Sequence, residues 1–128
     1  MEIPGVQVRR DRLLLPVTLD GAAGWAILDT GAQLSVVGLT MAGRLGLNEQ
    51  TMADDPLIRQ HGVGPAMRMA HVHRFGVLRI GPTETRNPVM AVLPQEAGLA
   101  DMLIGEDFLR GRRVWLSFRP AQVFVTLR

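Results

Sequence analysis

Asp29, Thr30 and Gly31 close the apolar run Trp25-Ala26-Ile27-Leu28, and Ala32 follows before the chain turns apolar again at Val36 and Val37. An acid at the end of a strand is a candidate proton carrier, because its surroundings can favour either protonation state of a carboxyl. The plainer reading is a turn, since Asp, Thr and Gly all suit one. A second apolar run, Met102 to Ile104, stops in the same manner at Gly105-Glu106-Asp107, with Gly105 76 residues after Asp29. Other reactive types are few. His61, His71 and His73 include a His-Val-His pair that places two imidazoles on one strand face, as a metal site could use. No third ligand stands at a suitable spacing, so histidines facing solvent on a hairpin are the expectation, and no metal or other cofactor is expected. The chain has no cysteine, which excludes disulfides, zinc-thiolate sites and cysteine nucleophiles and leaves the redox compartment open.

The elements that must carry these residues read mostly as strands. Val6 to Arg10, Leu13 to Leu19 and Trp25 to Asp29 are apolar runs broken by Asp-Gly and Gly at hairpin spacing. Pro16 gives the middle strand an exposed edge or a bulge. Thr40 can cap a short helix in which Met41 and Leu45 share a face and which Gly46 ends. The segment from Pro56 to Phe75 reads as a long hairpin with its tip at Gly62, Val63, Gly64 and Pro65, where two glycines and few bulky contacts favour motion. Strands follow at Phe75–Gly81 and Asn87–Pro94. Met102 begins a buried strand that runs into a helix of one or two turns, and the stretch from Val114 onward closes as a hairpin. The fold class is all-β: a small closed barrel with one or two short helices.

Length and composition limit the reading further. The 128 residues, 47% hydrophobic, suit one domain spanning 1–128 with its own core. No apolar run approaches the roughly 20 residues that cross a bilayer, and the N-terminus lacks the apolar core of a signal peptide. A soluble domain is expected, one that a longer exported or membrane-anchored protein could also contain. The sequence pI of 10.9 suggests nucleic acid, but the formal charge is only +2. All 14 basic residues are arginine and no tyrosine or cysteine titrates, which raises the pI without concentrating charge. Scattered arginines with few aromatics beside them argue against nucleic-acid binding. Met52, Met67, Met69, Met90 and Met102 are expected as core fillers rather than a ligand pocket. Trp25 and Trp115 are expected to pack at the barrel or at a contact between copies.

In order and content the chain resembles the retropepsin-like aspartic proteases. The resemblance rests on Asp29-Thr30-Gly31-Ala32 after an apolar strand, a glycine-bearing hairpin in the middle, and Leu103-Ile104-Gly105-Glu106-Asp107 near the end. It implies hydrolysis of peptides by two carboxylates about 3 Å apart, which share one proton because both cannot ionise at that distance. The chain holds one such triplet, so the second aspartate would be Asp29 of another copy in a two-fold homodimer, and the monomer would be inactive. The resemblance assigns catalysis to Asp29, with Thr30 bonding across the axis and Gly31 allowing close backbone approach. It places Ala32, Gln33, Val36, Gly62, Val63, Gly64 and Leu93 around an extended peptide, the three hairpin residues forming a flap that closes over it. Gly105 and Asp107 are structural support, Asp107 bracing the short helix, an arginine of the 110–113 cluster, or the active-site loop. Ala32 lacks the hydroxyl that pepsin-like enzymes often carry there, which implies activity reaching mildly acidic or near-neutral pH.

The resemblance also has departures. Retroviral enzymes commonly carry an acid and an arginine that pair with each other where this chain has Gln33 and Glu106. Losing both together avoids a lone buried charge and places the chain nearer the cellular and bacterial branch. In retroviral relatives the terminal strands of both subunits interleave, and the segment from Ala121 to Arg128 could do likewise. The expected partners are a second copy and a peptide or protein substrate. A catalytically silent module that keeps the fold for peptide binding or dimerisation is the alternative.

Overall fold

The computed structural model describes residues 1–60, 68–98 and 100–126. The expected hairpin tip, Gly62, Val63, Gly64 and Pro65, lies outside the described residues, as do His61 and Met67. Among the described residues twelve strands and two short helices form: β1 (Gln7–Arg9), β2 (Arg12–Leu19), β3 (Ala22–Leu28), β4 (Val36–Val37), α1 (Leu39–Arg44), β5 (Leu57–Gln60), β6 (Arg68–Arg74), β7 (Val77–Ile80), β8 (Thr83–Arg86), β9 (Val89–Val92), β10 (Met102–Ile104), α2 (Glu106–Leu109), β11 (Val114–Phe118) and β12 (Ala121–Val125). The sheet runs β5-β6-β9-β4-β10-β3-β2-β7-β8, with β1 also on β2. The expected all-β retropepsin barrel with short helices forms as a curled half-barrel. Its path ends on β5 and β8, which do not pair with each other among the described residues.

Local chemistry accounts for the joints. Asp20 and Gly21 both take positive φ, 48° and 84°, as the two-residue turn between β2 and β3 requires. Asp20 Oδ1 also accepts the Gly76 and Val77 N–H groups at 2.8 Å each, which ties this turn to the start of β7. Pro16 sits inside β2 where its second edge changes partner: β1 pairs as far as Leu14, and β7 begins at Val17. The proline's absent N–H falls in that gap. The "TETR" of β8 carries no apolar alternation to announce a strand. It forms as the outer arm of a hairpin, with Glu84 paired to Arg79 at 3.0 Å and to Arg86 at 2.9 Å.

Thr40 does not cap α1. Gly38 holds that position without a side-chain bond, and its N–H and that of Leu39 go instead to the carbonyls of Asp101 and Gln95, both at 2.9 Å. A Cβ on Gly38 would stand 2.9 Å from the Ala97 nitrogen, so the segment 95–101 lies against the helix start too closely for a larger cap. Thr40, one residue into the helix, donates its hydroxyl and its N–H to Glu96. The hydroxyl bond first, and the backbone bonds after it, hold the Glu96 carboxyl below its ordinary range against the opposing effect of burial. Gly46 ends the helix in the left-handed region, φ 76°, as expected.

The main core gathers Leu15, Leu19, Val37, Met41, Met102, Ile104, Val123 and their neighbours. Met52, Met90 and Met102 belong to it as fillers. Two smaller clusters form: Val36, Ala70, Ala91, Leu93 and Ala97 in one, and Leu14, Ile27 and Ala100 in the other. Half-buried Leu103 packs against both. No helix among the described residues is long and apolar enough to cross a membrane.

Candidate active site

Asp29 is the first residue past β3. Its N–H donates to the Ile104 carbonyl at 2.8 Å, extending the parallel pairing of β3 with β10 by one step. Its Oδ1 accepts the Gly31 N–H at 3.0 Å, and the Ala32 N–H closes the turn on the Asp29 carbonyl at 3.2 Å. The carboxylate is half-buried, while Thr30 and Gly31 are exposed. The acid is thus fixed by backbone bonds and presented outward.

The strand order explains how that turn is held. β10 lies between β3 and β4, the strands on either side of the turn, with Leu103 opposite Ile27 on one flank and Val36 on the other. The turn must therefore cross the end of β10, where α2 begins. Glu106 N–H donates to the Ala32 carbonyl at 2.8 Å and Asp107 N–H to the Gln33 carbonyl at 3.2 Å. Gly105 makes the approach possible, because a Cβ there would stand 2.5 Å from the Ala32 oxygen. Its φ of −105° is open to any residue, so the requirement is for space.

Beneath the turn lies a polar knot. Ser35 is buried, and its hydroxyl donates to Asp107 Oδ1 at 2.7 Å while accepting the Gly105 N–H at 3.0 Å. Ser35 N–H donates to Asp107 Oδ2 at 2.9 Å, and Phe108 N–H donates to Oδ1 at 2.9 Å. The Asp107 carboxylate thus joins the start of α2 to the segment that follows the Asp29 turn. Ser35 was not foreseen as part of this support. The available signal was a hydroxyl inside the apolar run Leu34-Ser35-Val36-Val37, since a buried polar group requires a partner.

The other expected site residues divide. Ala32 is half-buried and Gln33 exposed beside Asp29, and Glu106 is exposed. Val36 and Leu93 are 1% and 2% exposed and belong to a core cluster, so the expectation that they line a cleft is corrected. Val36 is held there by pairing with Leu103 and Ala91. Ile27, two residues before Asp29 on β3, is buried with Leu14 and Ala100, and half-buried Trp25 and Leu103 pack on that cluster.

The His-Val-His pair is also corrected. His71 is buried and His73 half-buried, both turned toward the segment 48–55 rather than to solvent. His71 Nε2 meets Glu49 at 3.1 Å and His73 Nδ1 meets Asp55 at 2.5 Å, so the two imidazoles fasten β6 to the loop before β5.

Comparisons with known proteins agree with this geometry. A family model described as aspartyl protease matches residues 15–108. No curated protein matches the sequence. Among solved structures, a retropepsin-like aspartic protease from Rickettsia conorii superposes with a TM-score of 0.73 at 14% identity, covering 98% of this chain and 89% of that one. The retroviral protease-like domain of Ddi1 from Leishmania major gives 0.58 at 19% identity, covering 91% and 94%. With the Asp-Thr-Gly-Ala turn crossing the end of β10 and locked from α2, and a family model that spans most of the chain, this protein belongs to the aspartyl protease family and has the retropepsin fold.

Proposed function

We propose that the chain is an aspartic endopeptidase that acts as a two-fold homodimer, with Asp29 of each copy forming one catalytic dyad. The observation that carries this reading is the half-buried Asp29 carboxylate, held by its backbone at the end of β3 and presented once per chain. In the dyad one carboxylate takes a proton from water as the water oxygen bonds to the peptide carbonyl carbon, and the other gives its proton to the carbonyl oxygen. Collapse of that tetrahedral adduct breaks the C–N bond, and the amine leaves with a proton returned through the dyad. No metal takes part in these steps.

Supporting roles follow from position. Thr30 is exposed at the outer side of the turn, where it can bond to the same loop of a second copy. Gly31 leaves the backbone bare beside the carboxylate. Half-buried Trp25 and Leu103, on the two strands that end at the site, are the apolar side chains assigned to the substrate, which favours apolar residues beside the scissile bond. Gly62, Val63 and Gly64, the expected flap, fall in the sequence between β5 and β6 and take the role of covering an extended peptide.

The test is cleavage of a peptide library between about pH 4 and 7 by the parent and by Asp29→Asn, with and without pepstatin, alongside sedimentation. Loss of a catalytic carboxylate lowers turnover by roughly 10²–10⁴-fold or more. Activity that survives in Asp29→Asn, or a parent that is inactive and strictly monomeric, overturns the reading in favour of a silent module with the same fold.

A further inference from the structure

Ser35 and Asp107, which tie the start of α2 to the segment after the Asp29 turn, also line a cavity of about 510 Å³ bounded by α2, the β7–β8 hairpin and the start of β9. Asp29 does not line it. Leu78, Pro88, Met90 and Phe108 give the cavity its apolar surface, and Leu78, Met90 and Phe108 are buried members of the main core. The volume falls within the range of roughly 300–1,000 Å³ usual for small-ligand sites.

Glu84, Arg86, Asp107 and Arg112 are the charged residues of its lining, and three of them are committed elsewhere. Glu84 pairs with Arg86 at 2.9 Å and with Arg79 at 3.0 Å. The Arg112 guanidinium lies 4.4 Å over the Phe108 ring, and its Nε donates to the Phe108 carbonyl at 3.1 Å. Asp107 is in no ion pair among the described residues, so the arginine of the 110–113 cluster expected from the sequence does not neutralise it. Its bonds all come from the knot: Oδ1 accepts the Ser35 hydroxyl and the Phe108 N–H, and Oδ2 accepts the Ser35 N–H. A carboxylate offers about four acceptor positions, so Oδ2 keeps one. A half-buried carboxylate without a counter-ion favours a ligand that brings the missing charge. Among the described residues no group of three metal-ligating side chains forms, which selects an organic cation over a metal ion.

We propose that this cavity binds a primary ammonium carried on an apolar chain, with the ammonium donating to Asp107 Oδ2 and the chain lying against Leu78, Pro88, Met90 and Phe108. An ammonium is a compact donor that one spare acceptor can hold, and an anionic ligand is repelled by the same carboxylate. Occupancy adds a fourth bond to the knot and a counter-ion to its acid. The ligand thereby steadies the segment that follows the Asp29 turn, and it stabilises the folded chain by binding that state alone. A free alkylamine and a lysine side chain share this chemistry.

The test titrates the full chain at neutral pH with hexylammonium, which is charged there as a lysine is, and with hexanol and hexanoate as controls of equal length. Hexylammonium is expected to shift the backbone N–H signals of Ser35, Gly105 and Phe108 saturably and to raise the urea midpoint, with a Kd of about 1 mM, as about seven non-hydrogen atoms can supply. Hexanol and hexanoate are expected to bind more than about tenfold more weakly. Nα-acetyl-lysine methylamide identifies the source: binding as tight as that of hexylammonium assigns the site to a lysine side chain, and weaker binding assigns it to a free amine. Asp107→Asn should weaken the amine more than about tenfold, and so should Thr85→Trp, which fills the cavity from half-buried Thr85 of β8 without touching the knot. Equal binding of hexanoate or hexanol, no saturation by roughly 30 mM, or an affinity that Thr85→Trp leaves unchanged overturns the proposal. The controls and Thr85→Trp decide the matter even if Asp107→Asn does not fold. Asp29→Asn is expected to bind the amine as the parent does, so failure of the protease reading leaves this site standing, and cleavage without amine binding overturns the site alone.

Discussion

Ser35→Ala tests whether the knot beneath the Asp29 turn holds it in place. The hydroxyl is 2% exposed with its residue, donates to Asp107 Oδ1 at 2.7 Å and accepts the Gly105 N–H at 3.0 Å. A bond to a carboxylate contributes about 1.5–3 kcal/mol, and a buried N–H left without an acceptor costs about 1–3 kcal/mol. The Ser35 N–H bond to Asp107 Oδ2 survives the substitution, so the carboxylate keeps part of its support. The expected loss is about 3–5 kcal/mol, a large part of the roughly 5–15 kcal/mol that holds a domain of this kind together. With a urea m-value of about 1–3 kcal/mol/M, the midpoint should fall by more than about 1 M, measured at one protomer concentration because dimerisation adds to apparent stability. A double-mutant cycle with Asp107→Asn should show coupling of about 0.5–3 kcal/mol. A midpoint shift below about 0.3 M, or single effects that add within about 0.5 kcal/mol, would refute the knot as the support of the turn.

Three further outcomes are expected. Gly105→Ala forces a Cβ to within 2.5 Å of the Ala32 carbonyl oxygen, so overpacking and the strained Glu106–Ala32 bond together should cost about 2–4 kcal/mol and lower activity, as read by thermal melting and peptide cleavage. Gly31→Ala should leave melting within about 0.5 kcal/mol of the parent while strongly reducing cleavage, since its Cβ would lie 3.4 Å from Asp29 Oδ1, an ordinary contact. Thr40→Val removes the hydroxyl bond that lowers the Glu96 carboxyl in the folded state. A depressed folded value gives stability that is present above the unfolded value of 4.5 and is lost as pH falls through the folded one. The parent's small, solvent-screened advantage over Thr40→Val in urea midpoint should therefore be full at neutral pH and shrink below about pH 4.5; an advantage independent of pH would sink the assignment.

Much of the frame was legible because it rests on short-range signals. Apolar runs ending at Asp-Gly gave β2, β3 and their turn, and Met102-Leu103-Ile104 before Gly105 gave β10 and α2. What could not be read was decided by pairing across long sequence separations. Thr40 has the chemistry of a cap, yet the approach of Ala97 and Asp101 fixed Gly38 at that position and turned the threonine to Glu96. The two histidines of β6 looked like surface residues because their acids, Glu49 and Asp55, stand 22 and 18 residues earlier. Val36 carries a hydrophobic side chain beside the motif, and nothing local says whether it faces a cleft or the core. Its pairing with both Leu103 and Ala91 decides for the core.

Two glycines of the site show the difference between what this chain requires of itself and what it leaves to a partner. At Gly105 a side chain collides with the chain's own backbone at 2.5 Å, so folding alone demands the glycine. At Gly31 the same test finds only the Asp29 carboxylate at 3.4 Å, and the backbone there is not left-handed, so the single chain imposes neither a spatial nor a conformational demand. Thr30 beside it is exposed. The far side of the turn, from Ala32 to Ser35, is therefore held by the start of α2, while exposed Thr30 and Gly31 meet no such packing demand inside one copy. A turn held this firmly is what the proposed reading asks of half a site, in which a second Asp29 across a two-fold axis would supply the acid–base partner.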